Sequence, residues 1–196
     1  MFQEDNSLTV ESAQTQPSRW LILCIDMQKD FYYDTAWKVK DMPRIIPKIL
    51  SMAKAYGKNM IYTRFINPEN KFFSRWKLCI KGTKGAEIIE ELKPFAKLVF
   101  DKPGYSCMKN IELVNFLLQK DFKELYFVGI ETDACIYASM LDAFEMGFDV
   151  YVVRDAVTSS NLEFHKTVLE IIKKQFGNDS VIDSKDLLNL HKARIL

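Results

Sequence analysis

Short unbroken apolar runs alternate along this chain with longer stretches whose apolar residues recur every three or four positions. The runs are Trp20–Ile25 (WLILCI), 60–64, 98–100, 124–128, 148–153 and 180–182. Runs this short, bounded by breakers and rich in branched residues, are expected of strands buried on both faces, as in parallel sheets. Between them, residues 43–56 place Ile45, Ile49, Met52, Ala53 and Tyr56 on one face of a helix, with Pro47 in its first turn or so and Gly57 as its stop. Residues 85–92 predict a short helix ended by Pro94, and residues 108–119 a further helix. Ala134, Tyr137, Ala138, Leu141 and Phe144 mark a central helix closing at Gly147. Residues 161–176 follow with Leu162, His165, Val168, Leu169 and Ile172 on one face and Gly177 after them, and Ser184 is placed to cap a last helix over 185–190. Six strands alternating with helices predict an α/β fold, a three-layer α/β/α sandwich around a doubly wound, mostly parallel six-stranded sheet.

Composition narrows this picture. The 196 residues, 48% hydrophobic, suffice for one sizeable core, so residues 20–196 are expected to form a single domain. Residues 1–19 are polar and predict a flexible tail, or an arm ordered against a neighbouring subunit of a homo-oligomer, a dimer or tetramer. A net charge of +1 gives no pull toward nucleic acid or membrane, and no apolar stretch is long enough to span a bilayer. The four cysteines, at 24, 79, 107 and 135, fall in no paired-ligand spacing; with no signal peptide visible they are expected to be reduced, in a cytoplasmic protein. No Gly-x-Gly-x-x-Gly follows the first strand, which gives no support for a dinucleotide, and no cofactor is expected.

The candidate chemistry gathers where strands end. Cys135 follows the fourth run and a Gly129 break, with Thr132 or Asp133 placed as an N-cap, so it is expected in the first turn of the central helix. A thiol there feels the positive end of the helix, and the same unpaired N–H groups could hold an oxyanion. A buried cysteine serving only as a small apolar side chain is the alternative. Asp26 ends the first run, and Lys102 follows the third as part of Asp-Lys-Pro-Gly-Tyr-Ser. Open parallel sheets bind ligands outside the carboxyl ends of their strands, where all three residues fall. Taken alone, Asp26 could be a cap or a salt-bridged acid, and Lys102 a solvated lysine.

Four segments together, IDMQKDF around Asp26, KGTKGAEIIEELKP at 81–94, DKPGYSCM around Lys102 and GIETDACIYASMLDAFEMGFDVYVVRDA, resemble the isochorismatase-like cysteine hydrolase superfamily. The resemblance covers roughly residues 20–190 and implies a sheet order of 3-2-1-4-5-6. It implies Cys135 as nucleophile, Asp26 as the acid that takes and returns the thiol proton, and Lys102 as the cation completing a triad. It also implies a cis peptide at Ile130–Glu131 and an oxyanion hole of the backbone N–H groups of Glu131 and Cys135. The implied reaction is hydrolysis of a C–N bond in a small amide, ureido or carbamoyl compound through a thioester. A vinyl ether hydrolase of the isochorismatase kind, and a non-catalytic family member acting as a binding or assembly partner, remain open beside it. So does a redox role for Cys135, with Cys107 the one cysteine expected nearby.

Nicotinamidases of that superfamily carry an Asp-x-His pair and further histidines that bind a metal. Here residues 42–100 contain neither Asp nor His, and the chain has only His165 and His191, so a metal-free enzyme is expected. His165 is read as structural. Residues 28–40 predict a loop in which some of Phe31, Tyr32, Tyr33 and Trp37 wall a pocket. Residues 65–84 form a long connection, a lid or a subunit contact, in which every charge after Glu69 is positive. Arg75 and Lys77 are its candidates for attracting an anionic group, and Phe65, Trp76, Tyr105 and Tyr137 complete the expected pocket with Phe31 and Arg75.

Overall fold

The computed structural model describes residues 19–192 apart from Asp34. The expectation for the tail falls outside it except at Arg19, whose carbonyl accepts from the amides of Lys123 and Glu124 and so already joins the start of the central strand to its neighbour. Six strands, β1 (Trp20–Ile25), β2 (Met60–Phe65), β3 (Val99–Lys102), β4 (Glu124–Gly129), β5 (Asp149–Val157) and β6 (Val181–Ile182), form one sheet in the order β3-β2-β1-β4-β5-β6. Every pairing among them is parallel. Helices α1 (Lys29–Tyr32), α2 (Met42–Tyr56), α3 (Ile111–Gln119), α4 (Tyr137–Glu145), α5 (Leu162–Phe176) and α6 (Ser184–Lys192) complete it as a three-layer α/β/α sandwich.

The two faces of β1 show why its run is unbroken. Trp20, Ile22 and Cys24 pack with Ile45, Ile49 and Met52 of α2 and Leu187 of α6. Leu21, Leu23 and Ile25 pack with Leu113 and Leu117 of α3, Met140 of α4 and Ile172 of α5. Successive side chains point to opposite faces, and both faces are covered. Each large side chain so buried contributes about 1.5–3 kcal/mol relative to exposure. At the far end of β1, His191 stacks on Trp20 at 3.8 Å, well away from the strand ends that carry the candidate chemistry.

Several expected boundaries move. The 28–40 loop contains the short helix α1, and the helix expected over 85–92 is instead a 3₁₀ turn, Lys84–Ala86, followed by an isolated bridge between Ile88 and Gln28. The middle of that segment spends backbone groups on the β1–α1 connection, through Lys29 N to Glu87 O and Ile89 N to Met27 O, which interrupts the helical run between the short turns on either side. Pro47 lies inside α2 rather than in its first turn, and β5 runs on to Val157. Ser184 does not cap α6: its hydroxyl and amide both donate to the Asp155 carboxylate.

Candidate active site

Three strand ends and the turns that follow them make the site. At the end of β1 the backbone turns at Asp26, whose φ of 54° lies in the left-handed region that Asp tolerates better than most residues. At the end of β4, Gly129 has φ 109° and sits against β1 so closely that a Cβ would overlap the Ile25 carbonyl oxygen. Only glycine permits both. The approach lets the amide of Ile130 donate to Ile25 O at 3.1 Å, and the next peptide, Ile130–Glu131, is cis.

The turn carrying Cys135 is a π turn, Thr132–Ile136, that runs into α4. Neither Thr132 nor Asp133 caps it, contrary to the sequence expectation; Glu131 holds that position, and its carbonyl takes the amides of Ala134 and Ile136 while passing over that of Cys135 between them. Among the described residues the Glu131 amide donates to no group. Thr132 is instead an anchor. It is fully buried, its amide donates to Thr158 O at 3.1 Å and Ser159 Oγ at 2.9 Å, and its hydroxyl lies 2.9 Å from His165 Nδ1. Ser139 closes the other side, donating to Cys135 O at 2.6 Å and accepting from the Cys107 amide at 2.9 Å.

Lys102, the last residue of β3, reaches under β2 to the end of β1. Its side chain is 0% exposed and Asp26's 1%, and Nζ lies 2.7 Å from Asp26 Oδ2. The same nitrogen donates to Gly104 O at 2.7 Å and to Cys135 Sγ at 3.3 Å. The contact with Oδ2 is an ion pair rather than a well-angled hydrogen bond, since Oδ2 makes none; Oδ1 accepts from Thr63 Oγ1 at 3.3 Å. The structure thus brings Asp26, Lys102 and Cys135 together around one ammonium. Burial raises the Asp26 carboxyl above the usual range, against the opposing pull of Lys102. Burial likewise pushes the Cys135 thiol up to about 12, with Lys102 lowering it and Asp26 raising it. The resting sulfur is therefore a thiol, not the thiolate that the helix-dipole argument favoured, because removal from water outweighs the turn's partial charge.

A cavity of about 380 Å³ opens in front of the sulfur, lined by Asp26, Ile130, Glu131, Ala134 and Cys135 at its floor. Of the expected pocket residues, Phe31, Phe65, Trp76 and Tyr105 line it, joined by Trp37, Phe73 and Leu78. Arg75, Lys77 and Tyr137 do not. Arg75 is exposed and lies over the Phe72 ring at 5.6 Å, because its neighbour Trp76 is the residue turned inward. Tyr137, two positions beyond Cys135 and so on the far side of the helix, donates to Gln175 at 2.7 Å. The 65–84 connection is folded around Asn67, 4% exposed, whose amide donates to Phe73 O at 3.0 Å and Trp76 O at 2.6 Å. Gln28, fully buried, fixes the start of the same connection by bonds to both the carbonyl and the amide of Phe65. Sequence reasoning missed Ser139, Asn67, Gln28 and the Glu131 side chain; polar residues that saturate backbone groups leave no periodic signal.

All four cysteines are free. Cys107 is fully buried, and Cys79, which the sequence reading left out, lies near enough to Asp26, Lys102 and Cys135 to feel their charges. Among the described residues no group of three or more His, Cys, Asp or Glu is placed to hold a metal ion. Among them, too, no helix is long and apolar enough to cross a membrane.

Comparison with known proteins gives one consistent result. A family model described as the isochorismatase domain matches residues 20–185. The chain is 27% identical over 215 residues to the ureidoacrylate amidohydrolase of Acinetobacter baylyi, covering 91% of this chain and 86% of that one. Among solved structures, an isochorismatase-like hydrolase from Alkaliphilus metalliredigens superposes with a TM-score of 0.80 at 21% identity, covering 88% of this chain and 99% of that one. A pyrazinamidase of Pyrococcus horikoshii, solved in complex with zinc, gives 0.73 at 28% identity, covering 84% and 98%.

Proposed function

The chain belongs to the isochorismatase family, and from that premise we propose that it is a cysteine hydrolase cleaving a C–N bond of a small amide, ureido or carbamoyl compound through an Asp26–Lys102–Cys135 triad. The observation that carries this reading is the position of one buried ammonium, 2.7 Å from the Asp26 carboxylate and 3.3 Å from the Cys135 sulfur at the floor of a closed-in aromatic cavity.

Asp26 accepts the thiol proton as the sulfur attacks the substrate carbonyl, and the negative charge moves from carboxylate to sulfur to substrate oxygen. Lys102 faces the first two of these charges without moving. The raised carboxyl of Asp26 holds the proton well enough to return it to the leaving ammonia or amine. The oxyanion is received by the backbone N–H groups of Glu131 and Cys135, a donor of this kind contributing about 3 kcal/mol. Water, deprotonated by the same Asp26, then resolves the thioester.

The Asp-x-His metal pair of the nicotinamidases has no counterpart here, because residues 42–100 supply neither Asp nor His. The reaction is accordingly assigned to the chain's own side chains. The vinyl ether alternative gives Cys135 no task and is the weaker reading for a sulfur held by Lys102. The test is covalent trapping. Incubation with a panel of amides, ureido acids and carbamoyl compounds, quenched in acid, is expected to release ammonia and leave an acyl adduct on the Cys135 peptide in mass spectra. Turnover undiminished in a folded Cys135→Ala variant overturns the proposal.

A further inference from the structure

The cavity in front of Cys135 holds a charge that the mechanism leaves unused. Glu131 lines it beside Ser160; burial raises its carboxyl, with the Ser160 hydroxyl and amide favouring the charged form against that pull. A carboxylate has about four acceptor sites, more than one serine can fill, so it keeps acceptor capacity for a ligand. No cation is among the groups that act on it; the other charge in its neighbourhood, Asp133, has the same sign. Glu131, Tyr105 and Cys135 all line this one cavity, and the Tyr105 hydroxyl feels the charge of both others.

The remaining charges of the cavity are accounted for. Asp26 is engaged by Lys102 and Thr63. Lys38 also lines the cavity, but as an exposed residue, where water and salt weaken its field. Arg75 and Lys77, the cations expected to attract an anion, lie outside it. The same cavity is lined by Trp37, Phe73, Trp76 and Tyr105, whose ring faces attract cations. A substrate carboxylate here would meet a like charge in a partly dry site; an ammonium would meet a counter-ion and an aromatic wall.

We propose that Glu131 is the specificity-determining residue of this cavity, and that the substrate is an amide or carbamoyl compound bearing an ammonium or similarly N–H-rich group in place of a carboxylate. The inference rests on the hydrolase reading for the word substrate, but not for the binding preference. The probes are benzamide, para-(aminomethyl)benzamide and para-carbamoylbenzoate, titrated calorimetrically into the full chain carrying Cys135→Ala so that nothing turns over. The aminomethyl probe is expected to bind about tenfold to a hundredfold more tightly than benzamide, the worth of one charge-assisted hydrogen bond, and the carboxylate probe most weakly. Adding Glu131→Gln is expected to remove that advantage. Equal affinities, a carboxylate preference, or no binding by any of the three overturns the inference. Should Glu131→Gln fail to fold by thermal melt, the ranking in the Glu131 protein decides alone. Ammonia release by the Cys135 protein is scored separately. Charge preference without ammonia sinks the hydrolase reading and leaves Glu131 standing; ammonia without charge preference does the reverse.

Discussion

Replacing Lys102 with methionine keeps an unbranched side chain one atom shorter and removes its charge. In the resting site Nζ is 2.7 Å from Asp26 Oδ2 and 3.3 Å from Cys135 Sγ. At an effective dielectric of about 20 those separations correspond to about 6 kcal/mol toward a carboxylate and about 5 kcal/mol toward a thiolate. The two values are close, so charge can pass from oxygen to sulfur without leaving its counter-ion. Lys102 and Asp26 are shut off from solvent, so screening does not reduce the first figure much, whereas Cys135 borders the cavity and the second is an upper value. With methionine, Asp26 is left as a buried unpaired acid, and it holds its proton rather than stay charged. A base already protonated cannot take the thiol proton, so turnover is expected to fall by at least about a hundredfold to ten-thousandfold. Stability is expected to fall by about 3–5 kcal/mol near neutral pH. The deficit depends on pH with a definite sign. The Asp26 carboxyl is raised from 3.8 even with lysine present, and further without it. A raised carboxyl contributes stability that is present below its unfolded value and is lost as pH rises through the folded one, so the deficit is smallest in acid and grows toward neutrality. Urea melts across a pH series read this directly, with ammonia release measured on the same samples. Asp26→Asn combined with Lys102→Met is expected to regain most of the stability and none of the activity. A Lys102→Met protein that turns over normally, or whose deficit is flat with pH, would refute the shared counter-ion.

Other outcomes follow from the same geometry. Under the proposed mechanism Asp26 acts as base in its ionised form, and burial raises its carboxyl, so the acid limb of kcat/KM is expected above 3.8, with activity lost as pH falls through the raised value; a limb at or below 3.8 counts against Asp26 as the base. His165, whose pKa is lowered chiefly by burial and by Arg44, sits against Thr132 at 2.9 Å. His165→Leu is expected to cost about 1–3 kcal/mol in chemical denaturation by stranding the Thr132 hydroxyl. In the wild-type protein the histidine's contribution is full above pH 6.5 and lost as pH falls through its depressed value, which is visible in melts between the two. Incubation with a strong chelator followed by desalting is expected to leave turnover unchanged, since the donor set of this chain offers no metal cluster among the described residues; recovery only on adding zinc would overturn that assignment.

Much of the fold could be read in advance because its signals are local. The WLILCI run is apolar throughout since both faces of β1 are covered, and the helical faces of α2 and α5 repeat every three to four residues for the same reason. The segment at 85–92 misled because its apolar residues, Ile88, Ile89 and Leu92, are spaced like a helix, yet Ile88 and Ile89 pair with Gln28 and Met27 of the β1–α1 connection. Within the site, Phe31, Phe65, Trp76 and Tyr105 were legible as aromatics flanking strand ends, whereas Arg75 was misplaced because charge alone does not say which way a loop residue faces.

The amino-acid sequence alone determined the layering, the parallel sheet and which three side chains end up beyond the strand ends, since burial periodicity and chain breaks are properties of neighbours along the chain. The tertiary structure decided everything that depends on distance across it. It set Lys102 between carboxylate and sulfur, raised the Cys135 thiol by burial, and placed Glu131 in the lining of the cavity. Protonation follows from desolvation and Coulomb terms that vary over an ångström or two, and no pattern of residue types encodes separations that small.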